Sequence, residues 1–113
     1  MQIDDRVQAY LWDICEAARE ISGFVRGVKF DEFEKNKVLR YAVERQLHMI
    51  GEVAAHLSPR FCEKHPEIDW TKLSELRNII THQYGETVTK RVWLAATENV
   101  PAVLVPLEKL LSK

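Results

Sequence analysis

The chain predicts a single all-α domain, an antiparallel bundle of four to five helices, and three observations carry that prediction. Apolar residues recur at spacings of three and four along most of the 113 residues. No run alternates with period two for long enough to form a strand. Caps, glycines and prolines punctuate the periodic segments at intervals that suit short helix-to-helix connections. With 46% hydrophobic residues the chain can bury one core, and it is too short for two.

The first helix is carried by Ile3, Val7, Leu11, Ile14, Ala18 and Ile21, with Asp4 and Asp5 at its favourable N-terminal end, and is expected to stop before Gly23. After a connector flanked by Gly23 and Gly27, Phe30 and Asp31 look like the staple and cap of a second, longer helix. Its stripe is Leu39, Val43, Leu47, Ile50, Ala54 and Leu57, widened by Ala42, Met49 and Val53. Gly51 interrupts it at about 1 kcal/mol relative to alanine, a cost that close packing can offset. Ser58-Pro59 opens a short helix that ends at His65-Pro66. Trp70 and Thr71 open a third amphipathic helix on Leu73, Leu76 and Ile80, fading around Thr81 to Tyr84 and ending by Gly85. The last stretch carries Val88, Val92, Ala96, Val103, Leu107 and Leu110, and Pro101 and Pro106 inside it predict a kink or break near Thr97 to Val100.

Composition excludes several classes. The N-terminal residues have no signal-peptide pattern, and charges interrupt every apolar run short of the roughly 20 residues that cross a bilayer, so the expected setting is cytoplasmic. The net charge of −1 excludes a uniformly basic nucleic-acid coat, and any RNA contact must come from a local patch. Lys29, Lys35, Lys37, Arg40, Arg45, Lys90 and Arg91 are the candidate cations, with solvated helix faces as the plainer reading. Cys15 and Cys62 lack metal-type spacing and are expected as reduced thiols.

Of the four histidines, His48 and His56 lie eight residues apart, too far to share a metal on one helix, and His65 sits beside a loop proline. No metal site is expected. His82 differs, because Arg77, Asn78, Thr81, Gln83 and Tyr84 gather around it where an amphipathic helix runs out. On a regular helix Arg77 and His82 stand about 140° apart with about 7.5 Å of rise, suited to flanking a ligand rather than to chelating an ion. An arginine and a histidine suffice for metal-independent RNA cleavage. The imidazole exchanges a proton with the ribose 2′-OH or the leaving 5′-oxygen, while guanidinium stabilises the charge gathering on phosphorus. One histidine cannot easily do both jobs, so a homodimer that pairs two sites is expected, and the apolar width around Met49, Ile50 and Val53 points the same way. The plainer reading of Arg77, His82 and Tyr84 is a helix cap and surface anchors.

The segment LRNIITHQY resembles the R-x-x-x-x-H-x-Y signature of HepT-like proteins of the HEPN superfamily, including the asparagine after the arginine. AVERQLHMIGEVAAHLS is similar to the family's long-helix signature, HPEIDW precedes the motif as it does there, and VW followed by ENVPAVL resembles its C-terminal helix. The resemblance implies a HEPN-type bundle that dimerises with both motifs facing one cleft. It implies Arg77 and His82 as catalytic residues, Asn78 as supporting polar residue, and Tyr84 as the tyrosine that a partner modifies. The implied function is the toxin of a toxin–antitoxin pair, an endoribonuclease without cofactor, with structured RNA such as tRNA as candidate substrate. The implied partner is an MNT-domain nucleotidyltransferase antitoxin that neutralises the toxin by AMPylation of Tyr84. Two rival functions stand beside it: a non-catalytic helical adaptor that binds the nucleotidyltransferase, and a nucleotide-binding regulatory module.

Overall fold

The computed structural model describes residues 5–78 and 86–112, with the side chains of Glu86 and Thr87 excepted. Ile3, Asp4, Ile80 and the whole of the segment 81–85 lie outside the described residues. Helix α1 (Asp5–Val25) runs through Gly23, where no turn forms, and ends at a connector in which Gly27 adopts φ 73°, a left-handed value that glycine takes without a Cβ penalty. Helix α2 (Phe30–Lys35) follows, its first turn closed by Glu32, whose carboxylate accepts from the Lys29 amide at 3.0 Å.

The long second helix expected from Phe30 is divided. Asn36 leaves the helical conformation at φ −101°, ψ 94°, and its side-chain oxygen accepts from the Leu39 amide at 3.0 Å, starting helix α3 (Lys37–Ala55) afresh. Ser58 caps helix α4 (Pro59–Lys64) through the Phe61 amide at 3.1 Å, and Asp69 caps helix α5 (Trp70–Glu75) through the Lys72 amide at 3.0 Å. Helix α6 (Glu86–Leu94) passes through a π turn (Ala95–Asn99) into helix α7 (Val100–Leu111). The break predicted near Thr97 to Val100 is thus a widening of the helix rather than a gap. Pro101 has no N–H to give the preceding turn; separately, the Thr97 hydroxyl donates to the Trp93 carbonyl at 2.8 Å. Counting α2 with α3 and α6 with α7, the described residues form five helices and no strand, within the expected all-α bundle of four to five.

Helix α3 is the hub: α1, α2, α5 and α6 all pack on it, while α1 also packs on α7. The core takes Leu11, Ile14, Ala18 and Ile21 from α1, Val43, Leu47, Ile50 and Ala54 from α3, and Val92, Val100, Leu107 and Leu110 from the C-terminal helices. Arg19 ties α1 to α7 through Glu108 at 2.8 Å, and Gln46 on α3 donates to Glu20 on α1. Ile50 is 1% exposed within its own chain, and Met49 and Val53 pack against the core. Met49 and Val53 are only partly covered within the chain, and Val38 and Tyr41 at the start of α3 are exposed. Cys15 and Cys62 are free thiols, both pushed up from the ordinary thiol range chiefly by burial. Among the described residues no helix is long and apolar enough to cross a membrane.

Candidate functional site

Arg77 owes its position to the helix before it and to a glycine across from it. The Trp70 indole donates to the His65 carbonyl at 2.8 Å, and its ring meets Phe61 edge-on with centroids 5.6 Å apart, fixing the start of α5. Leu73 and Leu76 are buried on α3, which sets the rotation of the segment. After Glu75 the chain tightens into a 3₁₀ turn (Leu76–Asn78), one turn earlier than the fading expected from sequence. The turn lies on Gly51 of α3. A Cβ at position 51 would stand 2.5 Å from the Arg77 amide nitrogen and 2.8 Å from its Cβ. Glycine is what lets the backbone of Arg77 touch that of α3.

Glu52, the next residue on α3, reaches both Arg77 and His48. One carboxylate oxygen stands 3.8 Å from the Arg77 guanidinium and the other 3.6 Å from His48 Nε2. All three side chains are about two-fifths exposed. This geometry holds the guanidinium by charge while leaving room for a ligand, and water screens the pair. Sequence reading singled out Arg77 and missed Glu52. The available signal was its place four residues after His48 and directly after Gly51.

The return of the chain, from Glu86 onward, is anchored as firmly. Trp93 on α6 packs on Phe33 with centroids 5.1 Å apart and on Phe30 at 6.0 Å. Thr89 is buried, and its hydroxyl accepts from Arg40 on α3 at 3.5 Å. Lys90 sits 4.7 Å over the Phe30 ring. Glu44, one turn along α3 from Arg40, has its carboxyl raised above the ordinary range by burial, with Arg40 opposing. Both chain ends that flank residues 79–85 are therefore seated on α3 and α2.

Of the residues singled out from sequence, Arg77 and Asn78 are described, and His82 and Tyr84, with Thr81 and Gln83, lie outside the described residues. Asn78 lines a cleft of about 420 Å³ with Lys72, Glu75, Leu76, Arg91, Leu94 and Asn99. Arg91 was among the candidate cations and Lys72 was not. His56 Nδ1 stands 2.7 Å from the Glu52 carbonyl of its own helix, and His65 packs on Phe61, so both are held by structural contacts. Among the described residues no cluster of three or more His, Cys, Asp or Glu has metal-site geometry.

Comparison with protein families matches residues 14–110 to the family described as Ribonuclease HepT-like. This chain belongs to the HepT-like ribonuclease family. A protein of Methanocaldococcus jannaschii provisionally designated an RNase is 36% identical over 102 residues, covering 90% of this chain and 94% of the relative. A protein of Thermococcus cleftensis provisionally designated ribonuclease HepT is 34% identical over 101 residues, covering 89% and 92%. A Caldanaerobacter subterraneus protein, also provisionally designated an RNase, is 28% identical over 104 residues, covering 92% and 93%. No solved structure gives a significant match. The expectation of an RNA-cleaving enzyme holds at the level of the family, and the match spans Gly51, Glu52 and the whole segment from Arg77 to Tyr84.

Proposed function

We propose that this HepT-like chain is the toxin of a toxin–antitoxin pair, a metal-independent endoribonuclease in which Arg77 and His82 cleave RNA. The observation that supports it best is the seating of Arg77: its backbone lies against Gly51, Glu52 holds its guanidinium at 3.8 Å, and it lines an open hollow of about 440 Å³ with Trp70, Thr71 and Ser74. A planar guanidinium placed there meets two phosphate oxygens and stabilises the negative charge that builds as the phosphorus becomes five-coordinate.

In this mechanism an imidazole takes the proton of the ribose 2′-OH, and the 2′-oxygen forms a bond to phosphorus. The bond from phosphorus to the 5′-oxygen breaks, and a second proton donor protonates the leaving oxygen. The products are a 2′,3′-cyclic phosphate and a 5′-OH. Base and acid are wanted at once, and LRNIITHQY supplies one histidine, so the reading includes a homodimer whose second His82 completes the pair. Structured RNA such as tRNA is the proposed substrate class. Neutralisation by an MNT-domain nucleotidyltransferase is part of the same reading: AMP attached to the Tyr84 hydroxyl, two residues from His82, places bulk and negative charge where the RNA phosphate binds.

The test is cleavage of total RNA by the purified chain in excess chelator. The reading expects cleavage that is lost in both Arg77→Ala and His82→Ala, from a protein that sediments as a dimer. RNA left intact by a chain that still binds the nucleotidyltransferase would make it an adaptor. A monomer that cleaves at the wild-type rate would remove the paired-histidine mechanism while leaving the ribonuclease.

A further inference from the structure

The cleft that Asn78 shares with Lys72, Glu75, Leu76, Arg91, Leu94 and Asn99 has the size and chemistry of a nucleotide site, and nothing in the motif accounts for it. Its volume of about 420 Å³ falls within the range of small-molecule sites. Two of its side chains are cationic and one is acidic, so it is locally positive in a chain whose net charge is −1. Two primary amides, from Asn78 and Asn99, offer paired donors and acceptors of the kind that read base edges. Leu94, 39% exposed despite its size, adds an apolar surface against which a base can lie.

The π turn explains how these groups come together. On an uninterrupted α-helix Asn99 would stand about 140° around the axis from Leu94. The π turn pairs residues five apart: the Val100 amide donates to the Ala95 carbonyl, and Leu94 and Asn99 fall on one wall. A costly irregularity in the helix thus has a definite product, an asparagine on the wall of a cleft that Asn78, the residue after Arg77, also lines. Beyond Lys72 and Asn99 the surface continues into a smaller hollow of about 240 Å³ that includes Glu67 and Asp69. Those carboxylates repel a phosphate chain, which limits the favourable site to one nucleotide.

We infer that this cleft seats the RNA nucleotide adjoining the cleaved bond, with Lys72 and Arg91 on its phosphate and Asn99 reading its base. The inference rests on the ribonuclease reading for its choice of ligand. It makes the π turn a determinant of where the RNA is cut. Asn78, at the boundary between the motif and the cleft, joins the two.

The experiment measures fluorescence anisotropy of labelled eight-nucleotide single-stranded RNAs, one for each base, with the full-length wild type and with Lys72→Gln, Arg91→Gln and Asn99→Ala, at fixed salt in chelator. Loss of either cation is expected to weaken binding of all four RNAs by about tenfold, the scale of one charge-assisted phosphate contact. Asn99→Ala is expected to leave the weakest-bound RNAs unchanged and to lower the best-bound one by about tenfold, flattening the preference. Where the wild type cleaves, the Asn99→Ala cut map shifts in the same sense while cleavage continues. Binding and base preference equal to wild type in all three variants, with unchanged circular dichroism, would overturn the inference. So would displacement of the RNA by free AMP at concentrations below the RNA's own Kd, which would make the cleft a free-nucleotide site. Binding that responds to these substitutions in a chain that cleaves nothing would keep the subsite and remove the ribonuclease reading, so the two fail separately.

Discussion

Gly51 and Arg77 are in backbone contact: a Cβ on the first would lie 2.5 Å from the amide nitrogen of the second. Helix α3 runs unbroken through its least helix-favouring residue at the place where the motif arginine crosses it.

Gly51→Ala sets two effects against each other. Alanine is worth about 1 kcal/mol more than glycine in a helix interior. The added methyl, however, meets backbone atoms that cannot swing away, and overpacking of this kind costs about 1–3 kcal/mol. The clash is expected to win, giving a net loss of about 1–2 kcal/mol in urea denaturation. Cleavage is expected to fall further than the loss of folded protein explains, because the 3₁₀ turn carrying Arg77 must move away.

Arg77→Lys keeps the charge and loses the fork. An ammonium cannot bind two phosphate oxygens in one plane, so single-turnover cleavage is expected to fall by about a hundredfold, with the melting temperature unchanged. Wild-type cleavage by the lysine variant would show that Arg77 is not a bidentate ligand of the transition state.

Glu44 gives a pH signature of the fold. Burial raises its carboxyl above the ordinary range, so the folded state holds this proton more tightly than the unfolded chain does. The group's contribution is fully present below the ordinary carboxylate value and is lost as pH rises through the raised folded value. Glu44→Gln, which stays neutral, is therefore expected to raise the melting temperature at pH 7 and to leave it unchanged near pH 3. Equal effects at both pH values would mean that the charge of Glu44 carries no penalty.

Much of this architecture was legible in the chain. The stripe Leu11, Ile14, Ala18, Ile21 and the stripe Val43, Leu47, Ile50, Ala54 are the facing surfaces of α1 and α3, as period and polarity dictate. Ser58-Pro59 set the start of α4 because cap and proline act locally. Asn36 was harder to read, since the apolar periodicity passes through it and only its side-chain bond to the Leu39 amide restarts the helix. Pro101 marked the place of the irregularity in the last helix, and its form, a π turn rather than a gap, was not legible from the proline alone. At the site, Arg77 was legible from its motif, while Glu52 becomes visible only once folding has brought it beside Arg77, and Lys72 only once the cleft it shares with Asn78 has formed.

Tyr84→Phe tests the proposed control. Incubation with the cognate nucleotidyltransferase, ATP and Mg²⁺ is expected to add one or more AMP units to the wild type, mapped by peptide mass to Tyr84, and none to the phenylalanine variant, which keeps the ring and loses the acceptor oxygen. AMP added equally to the variant, or found on another residue, would move the regulatory site elsewhere.

The most direct measurement is end-group analysis of RNA cut by the wild-type chain in excess EDTA, with Arg77→Ala and His82→Ala run beside it. Attack by the ribose 2′-oxygen, assisted by arginine and histidine alone, predicts fragments ending in 2′,3′-cyclic phosphate and beginning with 5′-OH, and neither product from the two variants. Fragments beginning with 5′-phosphate, cleavage abolished by the chelator and restored by a divalent ion, or undiminished cleavage by either variant would contradict it.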